Sequence, residues 1–180
     1  MPAMLLPTTL LHHVAPAPRA PHFDWLLVDP AYPLDERAPL CTFRVDRPWE
    51  DWLGIGRLTL TPLPPHRRRY LTWQGNLSDH RGHVRQHARA LYQPQLWTPH
   101  RRLLLLHPPL PPLAPPSPPS FPCPPSRHTS TRASTDFSST ANPPRPLQVQ
   151  LTRHAQHWQA TLTPAPLIPP PHQAPTTTPR

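Results

Sequence analysis

A chain of 180 residues is long enough for one domain of ordinary size. It holds 35 Pro and only 4 Gly, and its 18 basic side chains, all of them Arg, outnumber 9 acidic ones to give a net charge of +9 with His neutral. Two distant cysteines, Cys41 and Cys123, exclude a disulfide framework and a CxxC site, and the apolar run Leu103 to Leu106 is far too short for a membrane-spanning helix.

The basic balance favours a polyanionic partner, nucleic acid before membrane, although a GC-rich coding bias accounts for part of the Arg count. The first eleven residues are apolar but contain Pro2 and Pro7 and no basic start, so they do not read as a signal peptide. A cytoplasmic, soluble, monomeric protein is expected, with no membrane partner.

Residues 1–7 read as a loose arm and 8–14 as a first strand ending in His12 and His13. Residues 15–21 carry three prolines, which lack the donor that a strand ladder needs, and so form a loop. Residues 22–29, His-Phe-Asp-Trp-Leu-Leu-Val-Asp, form the second strand. Its alternation puts His22, Asp24, Leu26 and Val28 on one face and Phe23, Trp25 and Leu27 on the other. A turn-rich connection follows, then an alternating strand over 40–45 with Thr42 and Arg44 on one face. Residues 46–56 read as a loop, 57–61 as a strand and 62–65 as a proline break.

A strand is expected over 66–73, with His66, Arg68, Tyr70 and Thr72 on one face and His66 about 13 Å from Tyr70 at full strand rise. Turn chemistry fills 74–82. Residues 83–92 fit a strand better than a short helix, and 101–107 form a buried strand. Residues 108–145 are dominated by Pro, Ser and Thr and lack the apolar side chains that offset ordering entropy, so a disordered insert is expected there. Strands at 146–153 and 157–163 make a closing hairpin, and 164–180 is a disordered Pro/Thr tail. The fold class is therefore all-β: one compact barrel of eight or nine short strands, built from 1–107 and 146–163.

His13 stands beside His22 and Asp24 if the first two strands pair through the 15–21 loop. Two imidazoles and a carboxylate with open positions suit Mn²⁺, Zn²⁺ or Fe²⁺. His66, Tyr70, Arg44 and Arg57 add an acid/base group and cationic donors. Together these describe a site for a phosphate ester. His80, His83, His87, His100, His107 and His154 have no matched partner in the sequence.

The order of these groups resembles the phosphoesterase domain of bacterial DNA ligase D, in particular its short stand-alone members. The similarity runs through His13, the H-x-D strand His22-Phe23-Asp24, the strand at 40–45, the H-x3-Y-L segment His66 to Tyr70-Leu71, and the turn Gln74-Gly75-Asn76-Leu77 to Gly82-His83-Val84 with Gln for the family's Glu. It covers residues 8–107 and 146–163. It implies a compact barrel and a Mn²⁺-dependent enzyme that removes a 3′-terminal ribonucleoside and then the 3′-phosphate from DNA ends in repair. It also implies His13, His22 and Asp24 as metal ligands, His66 and Tyr70 as the phosphate-side pair, and Arg57 near a family arginine. The family motif continues as H-x-D-x-R, and here Leu26 stands at that last position, so that Arg44 or Arg57 must compensate or turnover is weak. The chain carries no ligase or polymerase motif, which leaves any such partner in trans. The alternative reading, motivated by Leu26, is a barrel that binds nucleic-acid ends without turnover. A third is a largely unfolded Arg/Pro-rich interaction protein, which the alternating strands disfavour.

Overall fold

The computed structural model describes residues 4–107 and 145–166. The expected insert, apart from Arg145, and the tail, apart from Pro164 to Pro166, lie outside the described residues. Nine strands form one antiparallel sheet: β1 (Leu6–Val14), β2 (His22–Leu27), β3 (Cys41–Val45), β4 (Arg57–Pro62), β5 (Gly75–Asn76), β6 (His83–Trp97), β7 (Arg101–Leu106), β8 (Leu147–His154) and β9 (His157–Pro164). The spatial order is β1-β2-β3-β4-β9-β8-β7-β6-β5, and β1 also pairs with β6. Eight strands therefore close into a barrel, and β5 is an extra strand on the first residues of β6.

Closure depends on the length of β6. From His83 to Tyr92 it pairs with β1, skipping His87, and from Tyr92 onward it pairs with β7, so one strand serves two neighbours in succession. The register shifts at Leu10/Leu11 and again at Pro94/Leu96. Such irregularities bend a strand and tighten its twist, and the second accommodates a proline that cannot donate to the ladder.

Register and alternation together define the interior. Leu10, Trp25 and Phe43 face one another across β1, β2 and β3, Leu60 opposes Trp158, and Val149 opposes Leu162. Leu104, Leu106, Ala90 and Tyr92 complete the lining, all buried. An eight-stranded barrel is just wide enough for side chains to fill it, and here aromatics do so edge-on, with Trp25 4.9 Å from Trp52 and Phe43 5.7 Å from Trp158.

Strands β8 and β9 bury only alternate residues, the pattern of a sheet with one wet face. Strands β1 and β2 bury consecutive residues, from Thr8 to Leu11 and from Asp24 to Leu27, so their outer face is covered as well. The cover is the excursion between β4 and β6. Residues expected there as a strand over 66–73 instead make one bridge, Leu40 to His66, and then a 3₁₀ turn at Arg68–Leu71. Local hydrogen bonds such as Tyr70 N–H to the Arg67 carbonyl (3.0 Å) replace the ladder. Thr9 Oγ1 and Gln86 Nε2 both donate to the Leu71 carbonyl at 2.8 Å, pinning this turn onto the barrel.

The 46–56 segment, expected as a loop, contains a short helix, α1 (Trp49–Ile55). Pro48 precedes it, Glu50 and Asp51 occupy its first turn, and Gly56 ends it with φ +70° while donating to the Trp52 carbonyl. Trp49 and Trp52, three residues apart, turn inward and pack at that end of the barrel. Residues 83–92 are a strand, as expected, and it runs on to Trp97.

Candidate metal centre

In the β1–β2 ladder His13 lies opposite His22, and Leu11 opposite Asp24. His22 and Asp24 are two apart and share a face, which with His13 is the outer face of the barrel. His13 Nδ1 is 3.5 Å from Asp24 Oδ2, and His22 Nε2 is 3.3 Å from Asp24 Oδ1. The two imidazole centroids are 4.7 Å apart, and one ligating atom from each of the three residues lies within 4.8 Å of the others.

The outer nitrogens fix the ring tautomers. His13 Nε2 sits 2.9 Å from the Arg81 carbonyl and His22 Nδ1 3.3 Å from the Ala20 carbonyl. A carbonyl only accepts, so each ring places its N–H there and turns the lone pair of its inner nitrogen toward Asp24. Asp24 Oδ1 is buried and receives no hydrogen bond. With the ring neutral, its 3.3 Å approach to His22 Nε2 is a contact between two acceptors. Acceptors facing one another out of water repel unless a cation stands between them. Doubly protonating both rings would set two imidazolium charges 4.7 Å apart. One divalent ion satisfies all three groups at once. Bonds of about 2.0–2.2 Å put neighbouring ligand atoms about 3–3.5 Å apart, which the two His–Asp distances match. Backbone acceptors behind ligand histidines are the usual second layer of such sites. His13, His22 and Asp24 therefore form a possible metal-binding triad.

The triad lies in a cleft of about 700 Å³ between the outer face of β1–β3 and the 63–82 excursion. Arg19, Arg44, Arg67, Arg69 and Arg81 line it, together with His66 and Tyr70. Arg44 is opposite Asp24 on β3, and its Nε is 3.6 Å from the exposed Asp46. The 3₁₀ turn brings His66 and Tyr70 together, with ring centroids 5.5 Å apart and edge-to-face, in place of the separation expected of a strand. His66 Nδ1–H donates to the Pro64 carbonyl at 2.9 Å, and Nε2 has no hydrogen bond among the described residues. Arg69 lies over the Tyr70 ring, 5.3 Å from its centroid.

No protein-family model matches this chain, and no curated protein matches it.

Of the residues expected in the site, His13, His22, Asp24, His66, Tyr70 and Arg44 share the cleft. Arg57 does not. It opens β4 opposite Thr161 and lines a separate depression beside α1. Leu26 shares the Asp24 face but is fully buried, paired with Thr9 beneath the 3₁₀ turn, and does not line the cleft. His12, next to His13, turns to the other face and stacks on Phe23 at 5.0 Å. Burial and the neighbouring charge of Arg85 hold its pKa below the ordinary 6.5.

Sequence reasoning missed four of the five cleft arginines. Arg19 comes from the proline-rich loop, Arg67 and Arg69 from the excursion, and Arg81 from the turn before β6. That turn is specified by glycine: Gly82 has φ +100°, and a Cβ there would lie 2.2 Å from the Val14 carbonyl oxygen. Asp79 and His80 are also left-handed, at φ 59° and 52°. Together they aim the Arg81 carbonyl at His13, while the Arg81 guanidinium is held by the Ser78 carbonyl and hydroxyl.

Proposed function

We propose that the protein is a divalent-metal-dependent phosphoesterase that processes 3′ ends of DNA, removing a 3′-terminal ribonucleotide or a 3′-phosphate, in the manner of the DNA ligase D phosphoesterases that its sequence resembles. The observation that carries this reading is the triad itself: two imidazole lone pairs and a buried carboxylate oxygen without a donor converge on one point in an arginine-lined cleft.

A metal ion bound by His13, His22 and Asp24, for which Mn²⁺ is the candidate, would draw charge from a phosphate oxygen and ease deprotonation of water. The remaining work falls to the chain's own groups. Arg44 is across the ladder from Asp24, so its charge can offset that developing on the phosphate. Arg67, Arg69 and Arg81 attract and orient the polyanion. His66 delivers its Nε2 proton to the leaving oxygen, O5′ when the terminal ribonucleoside departs and O3′ when the 3′-phosphate is removed, while the Pro64 carbonyl holds Nδ1–H in place. Tyr70, wedged between His66 and Trp73, fixes the imidazole plane and offers its hydroxyl to the phosphate side. Gln74 Oε1 accepts the Gln86 N–H, an acceptor role that a glutamate would fill equally well.

A second reading, end binding without turnover, is favoured by Leu26, whose burial leaves no cation at that place on the strand. One experiment separates the two. Purified protein is incubated with MnCl₂ and a labelled primer carrying a 3′-ribonucleotide or a 3′-phosphate. Metal-dependent trimming that His22→Ala abolishes supports the enzyme. Binding without trimming, unaffected by chelator, supports the second reading and refutes the first.

A further inference from the structure

A second cleft, of about 460 Å³, opens at the end of the barrel formed by the start of β7 and the β8–β9 turn, and Arg102 stands at its centre. Arg102 opposes Trp97 on β6 and Leu151 on β8, so its side chain turns inward. Its guanidinium carbon is 4.3 Å from the Trp97 ring centroid, 4.6 Å from that of Trp158 and 5.6 Å from that of Phe43. Nη1 reaches Cys41 Sγ at 2.6 Å, and the buried Nε has no partner. Among the described residues Arg102 forms no ion pair. Burial holds the Cys41 thiol above its ordinary pKa despite the pull of Arg102, so the sulfur brings no counter-charge.

A guanidinium flanked by aromatic faces retains its charge, and Nη2, which among the described residues is neither buried nor hydrogen-bonded, is the donor left open to an oxyanion in the cleft. Asp29 is the one carboxylate on the cleft wall, and its Oδ1 is engaged by the Ala31 N–H at 2.9 Å. Arg153, opposite Trp158, adds a second cation at the rim, beside the stacked pair His154 and His157, whose rings are 5.2 Å apart.

We propose that this cleft is an oxyanion site that takes a phosphate group, held by the open donor of the Arg102 guanidinium and by Arg153. It is distinct from the metal cleft. The two share only Leu63 and Pro65, the rib between them. The phosphate can belong to a nucleic-acid strand crossing that rib from the metal cleft, or to a free phosphorylated small molecule.

The test is done in EDTA, so that its outcome does not depend on the metal reading. Inorganic phosphate is titrated into the full chain while Trp97 and Trp158 report by fluorescence quenching, with calorimetry in parallel. Saturable binding is expected, weakened about tenfold or more by Arg102→Met through loss of a charged hydrogen bond. The exposed Arg153→Gln, which leaves the barrel lining untouched, is expected to weaken it about threefold or more on the same grounds. Single-stranded oligonucleotides of two, four and eight nucleotides separate the sources. An affinity that climbs with length, and stops climbing in Arg153→Gln, assigns the site to a strand. Oligonucleotides that compete no better than phosphate assign it to a small molecule. Phosphate that fails to saturate, or folded variants that bind as the wild type does, would overturn the proposal.

Discussion

The sharpest test of the metal centre is Asp24→Asn measured with and without metal, because the two physical accounts of the triad predict opposite signs. The Asp24 side chain is 4 % exposed, one of its oxygens accepts nothing, and the nearest histidine nitrogens carry lone pairs. Asparagine has the same shape, carries no charge, and can donate its amide N–H to one of those nitrogens, since each faces a different oxygen of Asp24. Such a bond contributes about 1 kcal/mol net, so in EDTA the variant is as stable as the wild type or about 1 kcal/mol more so. With Mn²⁺ at about 100 times its Kd the wild type gains about 2.7 kcal/mol, whereas the variant, having lost its anionic ligand, gains little. The order of stability therefore inverts on adding metal. Urea unfolding followed by tryptophan fluorescence, in EDTA and in MnCl₂, reads this directly. If Asp24 instead holds the strands together by ion pairs with protonated histidines, removing its charge strands those cations and costs about 3–5 kcal/mol in both conditions. A loss of more than about 2 kcal/mol in EDTA, with no Mn²⁺-dependent rise in the wild type, would refute the metal reading.

Gly82→Ala forces a Cβ against the Val14 carbonyl in a left-handed backbone and is expected to cost about 2–3 kcal/mol in urea unfolding. The same change weakens Mn²⁺ binding by displacing the Arg81 carbonyl from His13. Arg44→Gln, in the cleft, is expected to lower 3′-end trimming about tenfold or more by removing phosphate neutralisation, whereas Arg57→Gln, beside α1, changes it less than about twofold in the same gel assay. Glu50 ionises below its ordinary 4.5: burial opposes this, but the hydrogen bond from its own backbone N–H and the interaction with His87 outweigh it. A depressed carboxyl contributes stability that is present above the unfolded pKa and lost as pH falls through the folded value. Because the side chain is 61 % exposed, the contribution is only a few tenths of a kcal/mol, and Glu50→Gln should flatten the stability profile by that amount between about pH 3 and 5.

Most of the barrel was legible because one face of each outer strand is polar. Cys41–Val45, Arg57–Pro62 and the β8–β9 hairpin alternate cleanly, and period two is the direct signature of such a sheet. The H-x-D spacing placed His22 and Asp24 on one face for the same reason. The excursion defeated that logic. His66, Arg68, Tyr70 and Thr72 alternate by accident, and what decides their conformation is the distant pair Thr9 and Gln86, which capture the Leu71 carbonyl. Nothing local encodes that. Strand β5, two residues long, lies below any periodic signal. Helix α1 did leave marks: a preceding proline, two acids in its first turn, a terminal glycine and tryptophans at i and i+3. The cleft arginines could not be foreseen, because Arg19, Arg67, Arg69 and Arg81 come from segments whose meeting is decided by packing over long sequence separations.

The position of the triad outside the barrel follows from the filling of its interior. Trp25, Trp52, Phe43 and Tyr92 leave no room for a substrate beside the Asp24 strand, so a cleft there needs a second layer on the outer face. The 63–82 excursion is that layer, and the barrel holds it mainly through polar links: Thr9 and Gln86 to Leu71, Leu40 N–H to the His66 carbonyl, and Arg81 to His13. The division of labour is unequal. All three candidate ligands stand on β1 and β2, which are buried on both faces from Thr8 to Leu11 and from Asp24 to Leu27, while His66, Tyr70, Arg67 and Arg69 belong to the cover, which has few fully buried side chains. Geometry around a metal is thus fixed by the barrel, and contacts to the substrate are free to adapt. The His13–Arg81 hydrogen bond joins the two layers. It leaves Nδ1 as the nitrogen of His13 that faces the Asp24 carboxylate, so the seating of the cover and the orientation of His13 depend on one contact.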